Sequence, residues 1–470
     1  MVQGRAIVLG ASIGGLLAAR VLSEHYDQVI VVERDDLSQP GDRRGVPQGK
    51  HVHALLARGE EIFEQLFPGL SRDLHAAGAV ECEALSEMRM ALDGRTLKQS
   101  SAGFSVLQAS RPFLEWAVRE RVRALPNVTL WDRCTAVGLR VDGARVRGVQ
   151  VSPPSGGVED LDAELVVSAL GRGGPIGKWL DQLGYPQPAE EGVAIDMVYA
   201  SAFVQLPEGS VGGDKEIIIG MTTGTRAMAL FAVEGGRHIL TLIGYGGDNP
   251  PKVLEEYLDF AATVAPPDVY KALIAGEVLS DISTYRYKAN LRRRYERLAR
   301  FPEGLLVFGD AVCSFSPAYG QGMTMSALQA VALQQCLRDG DDNLPKRFFR
   351  AASTTVDDAW MLTQLADSSL PHLRTQQRPL LQRITAPLIP VALVAAERDR
   401  VVAQQISRIA GLLDPPRSIF RPTVIARAVV ATAVAFTGLP RRRGDTDHEQ
   451  LPVPFSIPEI HARWSARTGR

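Results

Sequence analysis

The chain is poor in cysteine: Cys82, Cys134, Cys313 and Cys336 are four in 470 residues, and no two form a C-x-x-C pair. That scatter offers neither a disulfide framework nor a zinc site, so a reducing cytoplasm is the expected setting. A charge surplus is lacking too, since 52 Lys and Arg stand against 53 Asp and Glu, a formal net charge of −1. No dominant positive field exists to hold phosphates, and a nucleic-acid partner is not expected. Long hydrophobic runs are also missing. The apolar stretches 384–396 and 428–439 are each about a dozen residues, short of the ~20 that a spanning helix needs. They read as buried or amphipathic helices, while Arg441, Arg442 and Arg443 after the second leave a peripheral membrane contact open. The first apolar strand begins almost at Met1, so no signal peptide is expected. No Ser/His/Asp or metal-ligand constellation stands out; His51 and His53 lie two apart and gather no further ligands.

What is present is ordinary globular usage, 45% hydrophobic and 22% charged, over a length sufficient for two or three domains. The most informative segment is VLGASIGGLLAARVLSEHYDQVIVVERDD at the N-terminus. Ile7 to Leu9 reads as a buried parallel strand and Leu16 to Leu22 as a helix packing back on it, with a second strand ending at Glu33. Gly10 permits the tight turn, and Gly15 permits close approach of helix to strand. The free N–H groups at the helix start suit a pyrophosphate, helped by roughly half a positive charge from the helix dipole. Glu33 is placed to accept hydrogen bonds from ribose hydroxyls. The middle glycine of G-x-G-x-x-G is replaced by Ser12, whose Cβ narrows the approach. Gly10, Ser12, Ile13, Gly14, Gly15, Glu33 and Arg34 are the cofactor candidates here.

The next loop, QPGDRRGVPQGKHVHALLARG, is basic and punctuated by Gly and Pro, and gives way to a helix from about His53 to Phe67. Arg43, Arg44, Gln48 and His53 are cofactor-side candidates, a solvated loop being the alternative. Arg111 opens a further amphipathic helix and is another candidate. Strands follow from Val128 to Val151 with a turn at Asp142 and Gly143, and AELVVSALGRGG supplies a third buried parallel strand. From about 186 to 300 the pattern becomes one of long antiparallel strands, two of them joined by a Gly235–Gly236 hairpin. Few charges punctuate these strands, as in a sheet covered on both faces, by core or by an apolar substrate cavity.

A second strong signal is GLLVFGDAVCSFSPAYGQGMTMSALQAVALQQCL. A strand, Leu305 to Phe308, delivers Gly309 and Asp310 into a loop carrying Pro317, Gly320 and Gly322, and a helix begins near Met323. Asp310 can accept from a ribityl hydroxyl, and the N–H groups at the helix start can face the electron-rich edge of a flavin. The two segments together describe one FAD across a sheet. Tyr319, Ser316 and Gln321 lie in this loop, with turn packing and substrate contact as alternative roles.

These two segments resemble the flavoprotein monooxygenases of the para-hydroxybenzoate hydroxylase fold. Within that class RRGVPQGKHVHALLARG, LVVSALGRGGPIGKWL, MVYASAFVQ, NLRRRYERL and VDDAW are similar to the actinomycete polyether epoxidases that act on polyketide polyenes. The resemblance implies FAD contacts at Gly10, Ser12, Gly14, Gly15, Glu33, Arg44, Arg111 and Asp310, with Gly320, Gly322 and Met323 around the isoalloxazine. It implies reduction of the flavin, formation of a C4a-hydroperoxide with O₂, and transfer of one oxygen to a hydrophobic substrate, most simply an alkene. No side chain is then expected to be catalytic, because the cofactor carries the reactive oxygen. Many relatives carry Asp-Gly after the third strand, whereas this chain has Leu170, Gly171 and Arg172. The electrons, from NADPH or NADH, therefore arrive either directly or through a partner flavin reductase. Aromatic or allylic hydroxylation, and reduction of an isoprenoid double bond, are the alternative chemistries.

The expected organisation is α/β. A Rossmann-like FAD-binding domain in two parts, 1–185 and 301–345, receives an inserted antiparallel β-sheet substrate domain, 186–300. A helical C-terminal region, 346–440, and a polar tail, 441–470, follow, with Pro454 to Ile460 as a docking segment.

Overall fold

The computed structural model describes residues 4–220, 224–368, 370, 373 and 388–437. Arg5–Leu9 and Gln28–Val32 are runs of aliphatic residues, uncharged after the first position, and they form the middle of a five-stranded parallel sheet. Its order is Leu305–Val307, Leu165–Ser168, Arg5–Leu9, Gln28–Val32, Val128–Trp131. Strands covered on both faces need apolar side chains pointing both ways, which is why these segments do not alternate. Leu165 and Leu305 return to the same sheet from far along the chain, so the two glycine-rich turns that follow Leu9 and Val307 open on the same edge.

The second sheet has nine strands. Glu190–Gln205 lies at its centre, antiparallel to Arg237–Tyr245 on one side and Ser283–Arg293 on the other. Gly235 and Gly236 take φ of 77° and 66° in the hairpin joining Arg226–Val233 to Arg237–Tyr245, a conformation open to glycine at no steric cost. Three segments outside 186–300 extend this sheet: Met88–Leu92 runs parallel to Glu216–Ile219, Arg95–Thr96 pairs antiparallel with Met88–Leu92, and Cys313–Ser314 pairs with Ser283–Arg293.

Because strand side chains alternate, the sheet has two distinct faces. Ala200, Ala202, Leu240 and Leu242 pack on Tyr257, Phe260 and Leu273 from the helices Leu254–Ala262 and Pro267–Ala275. Those two helices interrupt the expected series of strands. The opposite face carries Met197, Tyr199, Ile243, Tyr245 and Tyr287, against which Leu370 and Leu373 pack. Here the expected cover on both faces is observed, and toward the edge of this second face Ile218, Met88 and Met90 pack on Leu393, Val402 and Val424 of the C-terminal helices.

Other segments adjust the expected boundaries. The helix after the basic loop is Ala57–Leu66, because residues 51–56 stay extended and Val52 N–H donates to Thr241 Oγ1 at 3.1 Å. The helix of the second glycine motif is Gln321–Arg338, followed by Leu344–Asp367. The apolar stretches form the helices Leu388–Ala396 and Pro422–Thr437 over their described residues. Arg400–Ala410 is capped by Asp399, which accepts from Val401 and Val402. Residues 384–387, 438 and 439, Arg441 to Arg443, and Pro454 to Ile460 lie outside the described residues. Among the described residues no helix is long and apolar enough to cross a membrane.

Candidate functional site

Gly10 turns the chain at φ 99°, and a Cβ there would lie 2.7 Å from Ala169 O. Gly15 is more restricted still, since its Cβ would lie 1.8 Å from Gly10 O. Gly14 faces the other way: a Cβ would stand 3.8 Å from Gly309 Cα and 3.4 Å from Ser326 Oγ. The first helix N-terminus therefore abuts the second glycine motif, and the two form one cleft.

Ser12 occupies the N-cap of the helix Ile13–Leu22 yet makes no capping bond. Its hydroxyl donates to Glu115 Oε2 at 3.1 Å and accepts from Arg111 at 2.9 Å. The N–H groups of Ile13, Gly14 and Gly15, which no helix can satisfy internally, are left for a ligand. In this way the serine at the usual glycine position is drawn off the phosphate approach.

Behind it lies a buried ionic net. Glu115 meets Arg43 at 2.6 Å, Arg111 at 2.9 Å and Arg119 at 3.8 Å. Glu33 accepts from Ala11 N–H at 2.7 Å, and Arg43 Nη1 lies 3.1 Å from the same oxygen. Among the buried members, three guanidiniums face two carboxylates; Asp35, half-buried at the rim, is 3.8 Å from Arg43. Burial pushes the Glu115 carboxyl up, but Arg111 and Arg43 outweigh it and hold it below the ordinary range. Arg119 Nε has no hydrogen-bond partner. A spare buried donor, a surplus of positive charge and an uncapped helix start fit a pyrophosphate.

His53 sits beside this net. Its Nδ1 is 3.0 Å from His51 O, and a carbonyl only accepts, so Nδ1 carries the proton and Nε2 keeps a lone pair. Burial and the nearby Arg111 push His53 down to about 4, and burial pushes His51 down to about 3, so both rings are neutral at pH 7. His51 Nδ1 is 2.7 Å from Ser201 Oγ, which is 2.7 Å from Thr241 Oγ1. A chain of hydroxyls thus ties the basic loop to the second sheet.

At the other motif, Gly309 N–H donates to Gln329 Oε1 at 2.8 Å, and Asp310 reaches toward the helix start, with its Oδ1 3.8 Å from where a Gly322 Cβ would be. Asp310 is enclosed by protein yet accessible, as a side chain lining a cleft is; its surroundings push the carboxyl up, and Arg111 and Arg172 oppose that. Pro317 opens the short turn to Tyr319, and Gly320 follows at φ 62° with room for no Cβ, since one would be 2.8 Å from Ala54 Cβ. Met323 is buried in the first turn of the helix. Arg172 caps the third-strand turn, bonded to Ala289 O and 5.3 Å over the Tyr287 ring.

The structure thus brings together Gly10, Ser12, Ile13, Gly14, Gly15, Glu33, Arg43, His53, Arg111, Gly309, Asp310, Gly320 and Gly322. Arg34 and Arg44 are exposed, and of the two neighbouring arginines it is Arg43 that enters the buried net. Glu115 and Arg119 escaped the sequence reading, although Arg111, Glu115 and Arg119 recur every fourth residue and so share one helix face. Asn290, Tyr199 and Asp367 escaped it as well, and no local pattern marks them.

A family model described as an FAD binding domain matches residues 4–339. Protein Rv3254 of Mycobacterium tuberculosis is 36% identical over 446 residues, covering 91% of this chain and 93% of that protein. Among solved structures, a flavoprotein/dehydrogenase from Cytophaga hutchinsonii superposes with a TM-score of 0.65 at 13% identity, over 93% of this chain and 100% of that one. The p-nitrophenol 4-monooxygenase PnpA from Pseudomonas putida gives 0.59 at 17% identity, over 89% and 100%. At such identities these two likenesses speak for the fold.

Proposed function

The chain belongs to the FAD binding domain family, and from that membership we propose that it is an FAD-dependent monooxygenase acting on a hydrophobic small molecule. The favoured chemistry is epoxidation of an alkene in a polyketide or terpenoid intermediate, a choice that rests on the sequence resemblance. The observation that carries the broader reading is the meeting of Gly14 and Gly309 over a buried net with more cations than carboxylates. When bound, FAD supplies electron transfer and the activation of O₂.

The protein's own part is positioning and exclusion of water. The N–H groups of Ile13, Gly14 and Gly15, backed by Arg43 and Arg111, take the pyrophosphate. Glu33 takes the adenosine ribose and Asp310 the ribityl chain, while the start of the helix Gln321–Arg338 takes the polar edge of the ring system. The apolar, tyrosine-bearing face of the second sheet then forms the substrate side. The turn of Leu170, Gly171 and Arg172, held against Ala289 and Tyr287, supports delivery of electrons through a partner flavin reductase as an alternative to direct reduction by NADPH or NADH.

The test is the visible spectrum of the purified protein, mixed anaerobically with NADPH, then opened to air with a polyene substrate. Flavin bleaching, reoxidation and a product heavier by one oxygen are expected. A product heavier by two hydrogens would replace the reading with a reductase, and a chain that binds no flavin would end it.

A further inference from the structure

The tyrosine-bearing face holds a carboxyl that none of the roles above employs. Asp367, the last residue of the helix Leu344–Asp367, is 1% exposed. Tyr319 O–H donates to its Oδ1 at 2.6 Å, and Asn290 Nδ2–H donates to its Oδ2 at 2.6 Å. The groups acting on its charge are these two, neither of them a cation. Burial pushes the carboxyl up to about 6, with the bonds from Tyr319 and Asn290 pulling the other way. It is still a carboxylate at pH 7, and a buried carboxylate without a cation is costly to keep.

The partners come from different parts of the cleft: Tyr319 from the turn that leads into Gly320, Asn290 from the strand Ser283–Arg293. Asn290 is fully buried, and its Oδ1 has no hydrogen-bond partner; nor has the hydroxyl of the buried Tyr199. Leu370, one turn beyond Asp367, packs with Met197, Tyr199 and Tyr245. Tyr319 is enclosed by protein but keeps accessible surface, like Asp310 of the same segment. A phenol has one hydrogen. With that hydrogen committed to Asp367, the Tyr319 oxygen can only accept from a ligand, and so selects a ligand that donates.

We propose that Tyr319 is a substrate-binding residue that accepts a hydrogen bond from a hydroxyl of an otherwise apolar substrate, and that Asp367 is the positioning residue that holds its proton. The Asn290 Oδ1 atom supplies a second acceptor beside it. The inference rests on the flavin reading above, because that reading makes this face the substrate side.

The experiment uses the flavin-loaded full chain and reads the shift of the flavin absorbance on titration with farnesol and with farnesyl methyl ether. The two share an apolar body, and only the alcohol can donate. The natural chain should bind the alcohol about tenfold more tightly, the loss expected when a donor to a buried acceptor is removed. Tyr319→Phe and Asp367→Leu, the second of which leaves Tyr319 O–H without its acceptor, should each bring the ratio of the two affinities to about one, with the flavin spectrum of the ligand-free protein unmoved. Tyr319→Phe deletes a single oxygen, so it remains informative if Asp367→Leu fails to fold. Equal affinities in the natural chain, a preference that survives Tyr319→Phe, or no shift with either compound would overturn the proposal. A chain that takes up no flavin would instead remove the reading beneath it.

Discussion

At one end of the cleft Glu115 lies among Arg43, Arg111 and Arg119, whereas at the other Asp367 lies between a phenol and an amide. Both carboxyls are buried, yet their surroundings act in opposite senses: the guanidiniums hold Glu115 below the ordinary carboxylate range, and burial lifts Asp367 to about 6. The first end carries spare positive charge and spare N–H donors, and so calls for an anion. The second carries spare acceptors in an apolar surround, and so calls for a neutral donor. Unsatisfied groups describe the ligand more closely than the contacts already made, since a buried polar atom without a partner costs about 1–3 kcal/mol until something supplies one.

The comparison breaks most sharply at Glu115. Glu115→Gln removes the carboxylate shared by three buried guanidiniums, and breaking such a pair from one side costs about 3–5 kcal/mol. Urea denaturation should report a loss of that order, with flavin absent from the purified protein. Asp367→Asn should cost much less, since it strands no cation and an amide oxygen can still accept from Tyr319. Similar losses at both positions would mean that the ionic net is not what sets the two ends apart.

Asp310 tests the seam between the ends. Asp310→Ala should leave the far-ultraviolet circular dichroism unchanged and weaken FAD at least tenfold, about 1.4 kcal/mol, so that the protein purifies largely colourless. A yellow protein with an unchanged FAD dissociation constant would remove Asp310 from the ribityl role.

The contrast between the two ends is also a contrast in what the sequence discloses. The first end is built from residues close in sequence: Gly10 to Gly15, Glu33 and Arg43 lie within one βαβ unit, where helix and strand periods are strict. The second glycine motif is equally local. Tyr199, Asn290, Tyr319 and Asp367 come from two strands, a turn and a helix scattered over the chain, and meet only because the nine-stranded sheet closes on the helix Leu344–Asp367. The helices Leu254–Ala262 and Pro267–Ala275 were hidden for a related reason, being short apolar runs amid β-rich sequence, where periodicity is ambiguous. Glu115 was legible in principle, four residues from Arg111 and from Arg119, but its worth depends on burial that the sequence does not state.

A third buried acid sharpens the comparison by pH. Glu216 accepts from Gln108 Nε2 at 2.5 Å, and Gln108 Oε1 has no partner, so a protonated Glu216 can close a two-bond ring by donating back. Burial pushes its carboxyl up to about 8, against the 4.5 of an ordinary glutamate. Between those values the unfolded chain is ionised and the folded chain protonated, so stability falls as pH rises, by at most about 1.4 kcal/mol per unit. Above 8 the effect levels off. Glu216→Gln keeps the ring at every pH and should be neutral at pH 5 and stabilising by roughly 1–3 kcal/mol at pH 8. Glu115 has the opposite sign, because its lowered value gives stability that is present above the ordinary range and lost as acid protonates it. Thermal midpoints that ran parallel in the natural chain and Glu216→Gln across this window would show that Glu216 is charged in the fold.

The smallest effect belongs to Tyr199. Its ring packs edge-on against His51 at 4.3 Å, and its hydroxyl has no partner. Tyr199→Phe keeps the ring and removes the unpaired oxygen, so the ligand-free protein should gain up to about 1 kcal/mol. If that oxygen is held in reserve for a substrate, the same change should weaken the farnesol complex by a few fold while the stability rises. A variant that loses stability without ligand would show that the hydroxyl is already satisfied, and would leave Asn290 Oδ1 as the spare acceptor beside Asp367.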